Sequence, residues 1–159
     1  MKQYELQKIA IEQLNNRGVK LEEIAKIVLE LQREYHADIT LEECITNLEH
    51  VLNKREVSHA VLTGIALDEL AEKKLLPEPL QTIVETDDGL YGIDEVIPLS
   101  IVNVYGTIGL TNFGYLDKQK VGIIKELDEG KNNGVNTFID DIVAGLASAA
   151  ASRIAHSRE

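Results

Sequence analysis

Apolar residues recur along the first half of the chain at the three- and four-residue spacing of a single helix face. In YELQKIAIEQLNNRG, Leu6, Ile9, Ala10 and Leu14 share one stripe, and Gly18 is placed to end the element. LEEIAKIVLELQREY repeats the pattern with Leu21, Ile24, Val28 and Leu31. TLEECITNLEHVLNK does so again, with Thr40 and Glu43 in the spacing of a capping box. EVSHAVLTGIALDELAEKKLL predicts a fourth helix reaching Leu76, closed by Pro77 and Pro79. These amphipathic helices occupy residues 1–76.

The second half is less periodic. PLQTIVE predicts a short helix, and TDDGLYG a turn. Val96 to Leu116 carries no charged residue, but Pro98, Gly106, Gly109 and Gly114 and several polar side chains argue against a bilayer span. The segment reads instead as buried core. A helix over about Lys120 to Glu129 and a last one over Thr137 to about His156 flank the loop EGKNNGVN. No strand pattern or internal repeat is present. The expectation is a single all-α domain over 1–159, of seven or eight helices with no significant sheet.

At 159 residues one core is expected, and 44% hydrophobic with 27% charged residues is ordinary for a water-soluble fold. The net charge of −11 and 4% aromatic residues argue against nucleic acid as a partner, including for the helix-turn-helix-like opening GVKLEEIAKIVLEL. The single Cys44 fits a reducing compartment and reads as a small buried hydrophobe. The N-terminus lacks a signal-peptide apolar run, so the expected location is the cytoplasm.

Chemistry concentrates in three acidic motifs: GIDEV with Asp94 and Glu95, YLDKQK with Asp117 and Lys120, and FIDDIVAG with Asp140 and Asp141. Each has a structural explanation. Asp94 could be an N-cap with Pro98 in the first turn. Asp117 and Lys120 could be an exposed i,i+3 pair. Asp140 fits the N3 position of a box opened by Thr137. Asp141 has no such role. It lies on the helix side of Gly145, Ser148 and Ser152, where small residues admit another helix and would draw the carboxylates into a crevice. An oxygen-only set of this kind suits Mg²⁺ or Mn²⁺. His36, His50, His59 and His156 are scattered, and no HExxH, GxxxxGK[ST], GxSxG or GxGxxG motif occurs.

The order of IDE, then D-x-x-K, then a Gly-containing loop and DD-x-x-AG resembles the phosphatidylglycerophosphatase A family over about Gly89 to Ile154. Two features depart from that pattern. The Gly- and Pro-rich N-terminal motif of its membrane-embedded lipid phosphatases is replaced by acidic amphipathic helices, and Ile97-Pro98 stands where a Gly usually follows the acidic pair. A soluble, phosphatidylglycerophosphatase-like branch fits best. The resemblance implies Mg²⁺-dependent hydrolysis of a phosphate monoester, lipid or small and soluble. Asp94, Glu95, Asp140 and Asp141 would hold metal, with Asp94, Glu95, Asp117 and Lys120 serving catalysis. A homo-oligomer is also expected, with the terminal helices forming a platform or a dimer interface. Two other classes stay open: a non-catalytic helical interaction or regulatory module, and an all-α nucleotide pyrophosphohydrolase, for which the first half offers only loose ExxE and ExxD candidates.

Overall fold

The computed structural model describes residues 1–130 and 134–158; Lys131–Asn133, in the middle of the EGKNNGVN loop, and Glu159 lie outside the described residues. The described residues form α1 (Gln3–Asn16), α2 (Leu21–Gln32), α3 (Leu41–Leu52), α4 (Arg55–Glu72), α5 (Leu80–Glu85), α6 (Ile93–Val102), a 3₁₀ turn (Asn103–Tyr105), α7 (Thr107–Lys118), α8 (Gly122–Asp128) and α9 (Ile139–Ser157), with no strand among them. One continuous apolar core joins them in a single domain.

The helix ends follow local chemistry. After α1, Gly18 takes the left-handed conformation, its N–H bonds Asn15 O, and Val19 N–H bonds Leu14 O at 2.9 Å. This is a Schellman stop, which satisfies the orphan carbonyls. Lys74 makes the same left-handed turn after α4, with Leu75 N–H on Leu70 O, so α4 ends four residues short of Leu76. Thr40 caps α3 by accepting from Glu43 N–H at 3.1 Å. The Glu43 carboxylate turns instead to Arg158.

α9 is the axis of the molecule. α2, α3, α4, α6, α7 and α8 all pack against it, while α1 and α5 lean on α4. Every residue from Ile139 to Ser152 is buried. A helix surrounded on all sides has no polar face to show, which explains the run of Ala, Ser and Gly. At Gly145 the backbone of α6 comes so close that an added Cβ would stand 3.2 Å from Pro98 Cβ and 3.3 Å from Pro98 O. The small-residue side does admit another helix, and that helix is α6.

The uncharged stretch departs from expectation. Pro98, Ile101, Val102, Gly109, Phe113 and Leu116 are buried, but Val96, Val104, Ile108, Leu110 and Tyr115 reach solvent. The stretch is therefore a folded-over pair of helices, α6 and α7. Only one side of each covers α9.

Candidate functional site

α9 starts where three other elements converge. α7 ends at Lys118 with Asp117 in its last turn, and Lys120 lies in the link to α8. α6 brings Asp94 and Glu95 in its first turn. Asp140 and Asp141 occupy the first turn of α9 and are each 3% exposed.

Lys120 Nζ stands among three carboxylates, 3.3 Å from Asp140 Oδ2, 3.6 Å from Asp117 Oδ1 and 3.9 Å from Asp141 Oδ1. Asp140 Oδ1 accepts the Asp141 N–H at 2.8 Å. Asp141 Oδ1 is fully buried and accepts no hydrogen bond. Burial pushes the Asp140 carboxyl above the usual carboxylate range, against the pull of Lys120. Burial, the Asp140 charge and a hydrogen bond with Asp117 push Asp141 up further. Burial opposes the Lys120 charge, but Asp140, Asp141 and Asp117 outweigh it and hold the ammonium up at about 12.

Direct contact thus joins Asp117, Lys120, Asp140 and Asp141. Asp94 and Glu95 stand further out and are felt through their fields. Glu95 is raised first by burial and then by Asp117 and Asp94, with Lys120 opposing. The capping roles considered for these residues do not occur. Gly92 precedes α6 as its N-cap, Asp94 makes no side-chain cap, and Pro98 falls in the second turn. Thr137 Oγ1 donates to Val84 O, so it opens no box for Asp140.

Two acids unremarked in the sequence belong to this region. Asp87, in the TDDGLYG turn, has its carboxyl raised by burial and by Asp94 and Asp128, with Lys120 opposing. Asp68, fully buried on α4, caps the start of α9: its Oδ1 accepts Phe138 N–H at 3.0 Å, and its Oδ2 accepts Ile139 N–H at 2.9 Å. The signal for Asp68 was legible. It continues the stripe Val57, Val61, Gly64 and Ile65, and an acid on an apolar stripe needs a buried partner. Asp87 had no such signal.

Among the described residues, no group of three or more carboxylate, histidine or cysteine side chains is arranged to hold a metal ion as it stands. The cation at the centre of these carboxylates is the Lys120 ammonium. In kind, the donors fit a hard divalent ion: they are all oxygens, and Asp141 Oδ1 is a buried acceptor without a hydrogen bond.

The phosphatidylglycerophosphatase A family model matches residues 11–156. The chain belongs to the phosphatidylglycerophosphatase A family. The match runs back through the N-terminal helices, well beyond the motif-bearing stretch from Gly89. The uncharacterized protein YpjQ of Bacillus subtilis is 65% identical over 162 residues, covering 100% of this chain and 91% of that protein. Its crystal structure superposes with a TM-score of 0.95 over 99% of this chain and 98% of the other. The low temperature requirement C protein of Listeria monocytogenes, 55% identical, superposes at 0.94 over 99% of both chains. As in the sequence-based expectation for this branch of the family, no described helix is long and apolar enough to cross a membrane.

Proposed function

We propose that this member of the phosphatidylglycerophosphatase A family is a Mg²⁺-dependent phosphoric monoester hydrolase whose site is the acidic basin at the start of α9. The observation that carries the reading is Asp141, a carboxylate 3% exposed whose Oδ1 accepts no hydrogen bond, set beside two further carboxylates and one lysine. Such an arrangement is costly for stability alone, because burial and like charge both penalise it. It is useful where a cation and a phosphate must be gripped together.

Asp140, Asp141 and Asp94 would hold the metal, with Glu95 and Asp117 completing an oxygen set; Mn²⁺ would serve in place of Mg²⁺. The bound ion would polarise the phosphoryl oxygen and lower the pKa of a coordinated water. Lys120 sits on a flexible stem, so its ammonium can leave the carboxylates and bind a phosphate oxygen as a point charge. A carboxylate left free of the metal would take a proton from the attacking water, and Asp117, more open than the aspartates of α9, suits that role if it is not a ligand. The close approach of α6 to α9 at Pro98 and Gly145 supports a role for Asp94 and Glu95, which lie about one turn before Pro98 on α6.

The family name points to a lipid phosphate, whereas a chain of net charge −11 is repelled by an anionic surface. The test is phosphate release from small soluble monoesters and from phosphatidylglycerophosphate in detergent micelles, with EDTA and Asp141→Asn as controls. Metal-dependent release from soluble monoesters at least as fast as from the lipid is expected. Release confined to the lipid would assign the family's own substrate. No release from any, together with a melting temperature indifferent to Mg²⁺, would favour the non-catalytic interaction module.

A further inference from the structure

α1 packs chiefly on α4, yet the residue that ends it reaches the start of α9. The left-handed turn at Gly18 fixes where the Arg17 side chain departs. Arg17 Nη1 pairs with Glu72 Oε1, at the end of α4, at 2.7 Å. Its Nη2 donates to Val135 O at 2.5 Å and to Asn136 Oδ1 at 3.1 Å. Glu72 Oε1 in turn accepts the Val135 N–H at 2.8 Å. The ion pair therefore holds both backbone polar groups of one residue, and the planar fork of the guanidinium fixes its rotation as well as its place.

The hold is passed on to the acids. Asn136 Nδ2 donates to Leu127 O of α8 at 3.1 Å, so this side chain is fixed from two sides. Asn136 O accepts the Asp140 N–H at 3.4 Å, and Asp140 Oδ1 accepts the Asp141 N–H at 2.8 Å. A short chain of hydrogen bonds thus runs from the first helix to the paired aspartates of the last. Stability alone is a poor reason for it. The Arg17 side chain is 8% exposed, and its Nε is buried with no hydrogen-bond partner. A buried ion pair left partly unsatisfied is often no better for stability than well-packed apolar side chains, and its best-attested use is to fix one register among several.

We propose that Arg17 is a positioning residue of the acidic basin: with Glu72 it clamps Val135 and Asn136, and so sets the path by which the chain enters α9 and places Asp140 and Asp141. The division of labour with Asp68 is clear. Asp68 accepts the amides of Phe138 and Ile139 and completes the helix start, whereas Arg17 fixes the residues that lead into it. The clamp itself stands on these hydrogen bonds. Its consequence for metal rests on the basin being the Mg²⁺ site.

Hydrogen–deuterium exchange of the full chain in metal-free buffer tests the clamp, and calorimetric titration with Mg²⁺ tests its consequence. In Arg17→Met the amides of residues 138–142 should exchange about tenfold faster relative to the rest of α9. Mg²⁺ affinity should fall about tenfold, as it does when the supports of metal ligands are removed. Leu48→Ala deletes core next to the Asn47 contact with Arg153, toward the other end of α9, and should change neither quantity although it lowers stability. Arg17→Lys keeps the charge without the fork, so it should fall between Arg17→Met and the wild type, and it carries the same comparison if Arg17→Met does not fold. Adding Glu72→Gln to Arg17→Met should cost little more, because the two side chains act as one clamp. Exchange at 138–142 that rises no more in the Arg17 variants than in Leu48→Ala would overturn the proposal, as would an Arg17→Met chain that binds Mg²⁺ as the wild type does. A wild type that binds no Mg²⁺ would instead sink the metal reading, and the exchange contrast would then decide the clamp alone.

Discussion

Asp68 and Asp141 lie at the same end of α9 and are both almost inaccessible to water, yet their surroundings are opposite. Asp68 has its oxygens filled by backbone amides, at 3.0 Å from Phe138 and 2.9 Å from Ile139, and so completes the helix start. Asp141 has a second aspartate beside it, a third in hydrogen-bonding reach, one lysine, and an oxygen no donor reaches. Burial alone does not separate a satisfied acid from an unsatisfied one. What separates them is whether the fold supplies the donors that the carboxylate needs.

Substitutions at these acids and their neighbours put the contrast between Asp68 and Asp141 to the test. The largest effect is expected from Asp68→Ala, which orphans two buried amides and removes the cap of the central helix. The loss should be about 2 kcal/mol in denaturant unfolding. Asp68→Asn keeps one acceptor and should lose less, while changing the pH dependence. Burial holds the Asp68 carboxyl up at about 7, against the pull of the two amides, whereas the unfolded value is about 4. The folded state binds this proton more tightly, so the contribution is full below about pH 4 and is lost as pH rises through about 7. The Asn variant should therefore show a shallower fall of stability over that range, and an unchanged slope would refute the assignment.

Gly145→Ala comes next. Its Cβ would press on the α6 backbone at Pro98, and the shift should cost about 1–2 kcal/mol. Because α6 also carries Asp94 and Glu95, the same variant should blunt any Mg²⁺-induced rise in melting temperature. A full metal response in a destabilised Gly145→Ala chain would mean that the α6 acids are not ligands.

Lys120→Met leaves Asp117, Asp140 and Asp141 without their cation. At pH 8 the variant should be less stable by about 1 kcal/mol, with the deficit shrinking in acid as the carboxyls take up protons. The smallest expected effect on stability is that of Asp141→Asn, a gain of about 0.5 kcal/mol in metal-free buffer from relief of like charge. That variant should also lack the Mg²⁺-induced rise in melting temperature expected of the wild type. A clear loss of stability without metal would move Asp141 into the class of Asp68.

Much of the fold was legible because local pattern and tertiary demand agree. The stripes through Leu6, Ile24, Cys44 and Val61 mark α1 to α4, and Gly18 marks a stop, since the 3.6-residue period and glycine's left-handed freedom are properties of the chain itself. The cost of burying Asp141 among small residues was likewise readable from its neighbours. Tertiary structure alone decided the rest. α4 and α9 meet across about seventy positions of sequence, so no local rule reveals that Asp68, rather than Thr137, caps α9. The turn at Asp87 carries no sign that Asp94, Asp128 and Lys120 act on it, because those charges arrive from other elements. An uncharged run such as Val96 to Leu116 reads as core from composition, but α6 and α7 each cover α9 with one side only. Which apolar residues are left facing water depends on how the elements pack around α9, not on the run itself.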